Sequence, residues 1–265
     1  MGGPRRILAA VLAAGAVAVG AAGCGGDHSS ADAPLVRPMS SRASDEGPFA
    51  DLTAHQVLDR ANAAMRATSA LTLQEDGTSG GRTLHLRSVM TDSGRCTATM
   101  SDDRGVGLQV IGTGSAYYLK GTRSFWQGAG VTSSELKLLD GSWLREPASA
   151  TSDSGTIGLL CDKGRFMDHM TSELDVGTVA KHRPTSVGGA PALPVVHVKP
   201  KWTSTLYVAM TGEPYLLQCE IPAPTGGGMV TEKFSGFGRM PRISVPPADR
   251  TVDPADLGAS KDFSV

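Results

Sequence analysis

Arg82-Thr83-Leu84-His85-Leu86-Arg87-Ser88-Val89-Met90 is the stretch that decides the fold class. Leu84, Leu86, Ser88 and Met90 alternate with Thr83, His85 and Arg87, the period of two shown by a strand with one face on a core. After the turn Asp92-Ser93-Gly94, the run Cys96-Thr97-Ala98-Thr99-Met100 continues the alternation, which predicts consecutive antiparallel strands. Farther along, residues 106–111 and 116–120 repeat the pattern on either side of Gly112-Thr113-Gly114. Residues 195–199, 205–210, 215–221 and 229–234 repeat it again, with Thr211-Gly212-Glu213-Pro214 as a turn. Pro241, Pro246 and Pro247 confine the C-terminal part of the chain to edge or extended conformations.

Two stretches change the period. Thr53-x-x-Gln56 has the form of a capping box, and Val57, Leu58, Ala61, Ala64 and Met65 recur at helical spacing, predicting an amphipathic helix that ends near Ser69. Within residues 156–174, Leu159, Leu160, Phe166, Met167 and Met170 predict one or two short helices, with Gly164 against a single continuous one. A sheet with an apolar inner face needs a cover, and these two segments are the candidates.

Composition narrows the function classes. In 265 residues, 25 Lys and Arg balance 26 Asp and Glu, which leaves no broad electrostatic footprint for nucleic acid or anionic lipid. Apolar residues make up 40%, while 33 Gly and 16 Pro favour short strands and turns over a helical bundle. One domain with tails is expected at this length.

The N-terminus reads as an export signal. Arg5 and Arg6 precede an uncharged run, residues 7–22, too short and too rich in Ala and Gly for a membrane span. Ala21-Ala22-Gly23 then places small residues before Cys24, with the polar Gly25-Gly26-Asp27-His28-Ser29-Ser30 behind it. This resembles the bacterial lipobox, in which the Cys thiol takes a diacylglyceryl group and becomes the mature N-terminus. Ala21 departs from the Leu usual there. The resemblance implies anchoring at the extracytoplasmic face of the cell membrane. At about 0.8 kcal/mol per buried methylene, two long acyl chains would hold with on the order of 20 kcal/mol. The paired arginines leave Sec and twin-arginine export both open. The chain divides into a signal peptide (1–23), a flexible tether rich in Ser, Ala, Asp and Gly (24–48), a domain (49–250) and a C-terminal tail (251–265).

Tyr117-Tyr118-Leu119-Lys120-Gly121, Phe125-Trp126, Gly141-Ser142-Trp143-Leu144 and Thr205-Leu206-Tyr207-Val208-Ala209 occur in this order, and Thr211-Gly212-Glu213-Pro214-Tyr215 comes next. With the leading helix and the lipobox, they resemble the actinobacterial lipoproteins of the LppX/LprG group, which share the LolA-like fold. The resemblance covers residues 49–248. It implies an α+β fold: a strongly bent antiparallel sheet, or half-barrel, with helices on its concave face. In characterised relatives the space between sheet and helices holds acyl chains. Strand parity places Leu84, Leu86, Met100, Leu108, Val110, Leu119, Leu206, Val208, Met210 and Leu217 on the more apolar faces. These are the candidate ligand-binding residues, and the same stripes would equally make a filled core. The expected protein is a membrane-anchored, monomeric, non-catalytic lipoprotein, without cofactor, that holds a lipid or other hydrophobic ligand. The alternative is an envelope lipoprotein with a closed core that acts through protein or cell-wall contacts.

Cys96, Cys161 and Cys219 would share an oxidising compartment. Cys96 has the apolar parity of its strand and Cys161 opens the helical segment, so a Cys96–Cys161 bridge would pin the lid to the sheet. Cys161–Cys219 is the competing pair. Gly77-Thr78-Ser79-Gly80-Gly81 matches the letters of the hydrolase elbow, but the glycines suit a hairpin between strands. Ser152-Asp153-Ser154-Gly155 reads as a polar linker. The six histidines lack metal-ligand spacing, and Gly105-Val106-Gly107 and Gly112-Thr113-Gly114 lack the rest of a phosphate loop. No catalytic or metal centre is expected.

Overall fold

A computed structural model of the chain describes residues 47–150, 156–174, 176–223 and 227–257. The signal peptide, Cys24, most of the tether and Ser152-Asp153-Ser154-Gly155 lie outside the described residues.

Six strands, β1 (Ala70–Ser79), β2 (Arg82–Thr91), β3 (Arg95–Asp102), β4 (Gly107–Thr113), β5 (Ala116–Gly121) and β6 (Trp143–Pro147), pair in sequence order as an antiparallel meander. A second set comprises β7 (Thr178–Lys181), β8 (Thr185–Val187), β9 (Ala190–Lys199), β10 (Trp202–Ala209), β11 (Leu216–Pro222) and β12 (Met229–Ser235). A short β13 (Thr251–Val252) completes the strands. The two sets join where β1 pairs antiparallel with β12, giving one curved, unclosed sheet ordered β13-β6-β5-β4-β3-β2-β1-β12-β11-β10-β9-β7, with β8 also on β9. The fold is therefore the expected α+β half-barrel.

Two details correct the sequence reading. β13 pairs parallel with β6, so the sheet is mixed rather than purely antiparallel. The segment read as a tail from residue 251 thus takes up part of an otherwise open edge. Its 3-10 turn at Pro254–Leu257 buries Leu257. The second detail is β1, a strand that the hairpin reading of residues 77–81 implies but that no alternation delimits. Its inward positions run Leu71, Leu73, Glu75 and Gly77, so the apolar alternation fails half-way along it.

Helix α1 (Ala54–Ala67) opens on the predicted capping box: Gln56 N–H donates to Thr53 Oγ1 at 3.2 Å, and Thr53 N–H to Gln56 Oε1 at 2.9 Å. It buries Val57, Leu58, Ala61 and Met65 and packs on β7, β10 and β11. Each large side chain so covered contributes about 1.5–3 kcal/mol. Helices α2 (Arg123–Gly128) and α3 (Ser133–Leu139) lie between β5 and β6. Helices α4 (Thr156–Cys161) and α5 (Lys163–Leu174) divide at Asp162, whose Oδ1 accepts the Arg165 N–H at 3.1 Å. The break falls at Asp162, two residues before Gly164, and this cap starts the second helix.

The cover is fastened by a disulfide, by a side-chain hydrogen bond from the sheet and by a buried lysine, among other contacts. Cys96 on β3 is bonded to Cys161 at the end of α4, with Cα atoms 5.0 Å apart. Gly112, opposite Cys96, leaves room for the bridge, since a Cβ there would lie 2.7 Å from Cys96 Sγ. Closing a loop with this separation of 65 residues is worth about 4 kcal/mol on the chain-entropy model. Ser88 Oγ–H on β2 donates to the Leu160 carbonyl. The third fastening is Lys163, a buried cation that the sequence pattern does not mark. Its Nζ donates to the Arg66 carbonyl at 2.7 Å and the Met65 carbonyl at 3.3 Å, and lies 3.0 Å from Asp92 Oδ1. A positive charge at the C-terminal end of α1 also meets the negative end of the helix dipole. Lys163→Met is expected to destabilise the protein by roughly 2–4 kcal/mol, because it strands the buried Met65 carbonyl and the part-buried Arg66 carbonyl while keeping most of the side-chain volume. Urea unfolding monitored by circular dichroism checks this.

Candidate functional site between sheet and helices

Strand register builds the inner face row by row. One row crosses nearly the whole sheet: Leu108, Met100, Leu86, Glu75, Glu232, Cys219, Leu206 and Val195 stand opposite one another in turn. The adjoining row runs Val110, Ala98, Ser88, Leu73 and Phe234, and α4 and α5 come down on it. There Ser88 meets Leu160, and the Phe234 ring lies 6.0 Å from that of Phe166. The row through Met100 therefore borders the helical cover.

Eight of the ten predicted lining residues come together here. Leu86, Leu108, Val110, Leu119, Leu206 and Val208 are buried in one cluster, and Met100 and Met210 are half-buried against it. Leu84 is half-buried and stands outside that cluster. Leu217 is displaced by a β-bulge: Tyr207 pairs with Gln218 but Val208 pairs with Leu216, so Leu216 takes the inward place and Leu217 is the extra residue. A single inserted residue reverses facing, which simple parity cannot anticipate. Ile221, Met170 and Leu174 are further half-buried residues packed on the cluster.

The two acids in the row were not singled out by sequence reasoning, and nothing in the local pattern marks them as neighbours. Glu75 on β1 and Glu232 on β12 are direct cross-strand partners. Oε2 of Glu232 is shut off from solvent and has no hydrogen-bond partner. Burial, reinforced by the facing Glu75, pushes the Glu232 carboxyl up to about 8. Burial, and the adjacent Asp76, push Glu75 upward as well. Beside them the Cys219 thiol is raised by burial, by Glu232 and by Glu220, so it remains a protonated and unreactive buried thiol. One residue along, the outward Asp76 shows the contrast. His85 Nδ1 lies 2.7 Å from its Oδ1 and Gln74 donates to Oδ2 at 3.1 Å, and these hydrogen bonds hold its carboxyl below the usual range.

No protein-family model and no curated protein matches the chain. Among solved structures it is similar to LprF from Mycobacterium bovis, at 13% identity over 73% of this chain and 96% of that one, with a TM-score of 0.49. It is also similar to the Mycobacterium tuberculosis lipoprotein LppX, at 11% identity over 72% of this chain and 98% of that one, with a TM-score of 0.43. LppX is one of the group whose sequence phrases this chain resembles.

The remaining motifs take ordinary places. Ser79 ends β1 opposite Arg82, and Gly80 and Gly81, at φ 59° and 72°, make the two-residue hairpin turn between them. A nucleophile elbow requires a strand turning into a helix, which is not the geometry here. Among the described residues, no three His, Cys, Asp or Glu side chains are grouped to hold a metal ion. No described helix is long and apolar enough to cross a membrane.

The acid pair sets a pH dependence of definite sign. The folded protein holds the Glu232 proton more tightly than the unfolded chain, whose carboxyl has the ordinary value of 4.5. The contribution is fully present below that value and is lost as pH rises towards 8, at up to about 1.4 kcal/mol per pH unit. Glu232→Gln, which mimics the protonated carboxyl, is expected to flatten this decline. It should make the protein a few kcal/mol more stable than the parent at about pH 8.5 and nearly equal to it at about pH 5. Denaturant titrations at the two pH values check the difference.

Proposed function

We propose that this chain is a lipoprotein of the extracytoplasmic membrane face, tethered by a diacylglyceryl group on Cys24, that holds a lipid or other hydrophobic molecule between its curved sheet and helices without transforming it. The observation that carries this reading is the boundary of the apolar inner face. Met100 on β3 and Met210 just past the end of β10, with Met170 and Leu174 on α5, pack against the core yet remain half-exposed. Thioether and aliphatic side chains at the edge of a packed core make an adaptable apolar wall. The row that contains Met100 also passes through Glu75 and Glu232, so a guest there would meet apolar side chains along its length and two acids at the sheet's midline.

A specific observation favours the closed-core alternative: Val110, Leu119 and Val208 are 2%, 0% and 0% exposed, already covered by the protein's own side chains. In that case the domain would act through surface contacts. Native mass spectrometry of the mature chain, released gently from membranes, separates the two readings. The carrier reading expects a mass increment that organic extraction removes and that yields an acyl-containing species. A clean protein mass from several preparations would favour the closed core. Cys24→Ser is expected to move the protein from the membrane to the soluble extracytoplasmic fraction on cell fractionation, and retention at the membrane would contradict the anchor.

A further inference from the structure

The sheet consists of two halves, and a single strand pairing joins them. Residues 70–147 supply one half and residues 178–235 the other, and β1 with β12 is their only strand-to-strand joint among the described residues. The covering helices divide along the same line. α4 is bonded to β3 and packs on β2 and β3, whereas α1 packs on β7, β10 and β11. On the helical side the halves meet where α5 touches α1, through Lys163, through Arg66 with Asp168 at 2.9 Å, and through Thr171 with Asn62 at 3.3 Å. Phe166 against Phe234 adds a contact across the interior.

Along the inner side of the joint, the three successive facing pairs are Leu73 with Phe234, Glu75 with Glu232, and Gly77 with Val230. The first is a buried apolar clasp. The second opposes two carboxyl groups. At the third, a Cβ on Gly77 would lie 2.8 Å from Val230 Cγ2, so the strands approach closely with no side chain on the β1 side. Like charges directly opposite each other in a sheet are destabilising, and a buried unpaired charge is more so.

We propose that this joint is a proton-operated latch: with one proton held on the Glu75–Glu232 pair the two halves stay closed, and loss of that proton loosens the pairing from Glu75 to Gly77 and parts the sheet around the Leu73–Phe234 clasp. The neighbouring Asp76 adds a further negative charge near Glu75, and Asp102, which has the inward parity of β3, is paired with Arg82. From β2 the pair faces Leu86, and from β11 the protonated Cys219. Lys181 on β7 donates to the Phe49 and Ala50 carbonyls. On α5, Lys163 and Asp168 are engaged with α1, Arg165 lies 3.6 Å from Asp162, and His169 is exposed. On α1, His55, Asp59, Arg60 and Arg66 are exposed. Lys233, Asp76 and Glu220 have the outward parity of their strands. The raised carboxyl values of both glutamates agree with this geometry. The latch stands on the strand register alone; its bearing on entry of a hydrophobic guest rests on the carrier reading.

Amide hydrogen exchange of the mature chain at about pH 6 and pH 9, normalised for the intrinsic rate, tests it without any ligand. Protection of β1 and β12 amides is expected to fall on the order of tenfold more than that of β4 and β5 between the two pH values. Glu232→Gln and, separately, Glu75→Gln should abolish that excess. Equal loss of protection in both strand pairs, or an excess that persists in both variants, would overturn the latch. A pH-insensitive joint in a protein that retains a lipid would sink the latch and leave the carrier reading standing. A working latch in a protein that retains none would do the reverse.

Discussion

Pairing of β1 with β12 is the constraint on which the rest of the structure depends. It brings together strands separated by most of the domain and turns two sets of strands into one sheet whose inner face is interrupted at the joint by Glu75 and Glu232. Contacts of such sequence separation come late and at a cost in chain entropy, so they need strong local support. That support is concentrated at the Leu73–Phe234 end, where Phe166 packs from above, and it weakens beyond Glu75 and Glu232. Across the Glu232 carboxyl the joint therefore exchanges hydrophobic stability for dependence on a proton.

The helical cover answers the same need from the other side. A curved sheet that buries one face leaves space that side chains of the sheet alone do not fill, and helices supply the opposing surface. Here that surface is fastened covalently to one half by Cys96–Cys161 and joined electrostatically to the other by Lys163 at the end of α1. Met100, Met170, Leu174 and Met210 remain half-exposed at the border of the core that this cover closes.

Much of this was legible in the sequence because period-two alternation and capping chemistry are local. β2 to β5 and β9 to β12 announce themselves, and the Thr53–Gln56 box marks the start of α1 to the residue. Cys96 and Cys161 could be matched because parity places Cys96 on the covered face and Cys161 opens the segment that covers it, whereas Cys219 shares that parity without a partner. The features that escaped were non-local. β1 hides because an acid and a glycine occupy inward positions, and those positions have meaning only against Glu232 and Val230, far along the chain. One bulged residue shifts the facing at Leu217, and Lys163 finds its partners in two carbonyls at the end of α1 and in the distant Asp92, which no local pattern of residue types reveals. The two-residue β13 is too short for any periodicity.

On the proposed function, a hydrophobic molecule lies between the sheet and α5, beside the acid pair. Solution NMR of the chain labelled at Leu and Met methyl groups, titrated with methyl palmitate, tests it most directly. Shift changes concentrated at Leu86, Met100, Met170, Leu206 and Met210, with the exposed Leu138 and Met240 unmoved, are the result this account predicts. Saturable changes confined to Leu138 and Met240, or no change at any inner methyl, would contradict it.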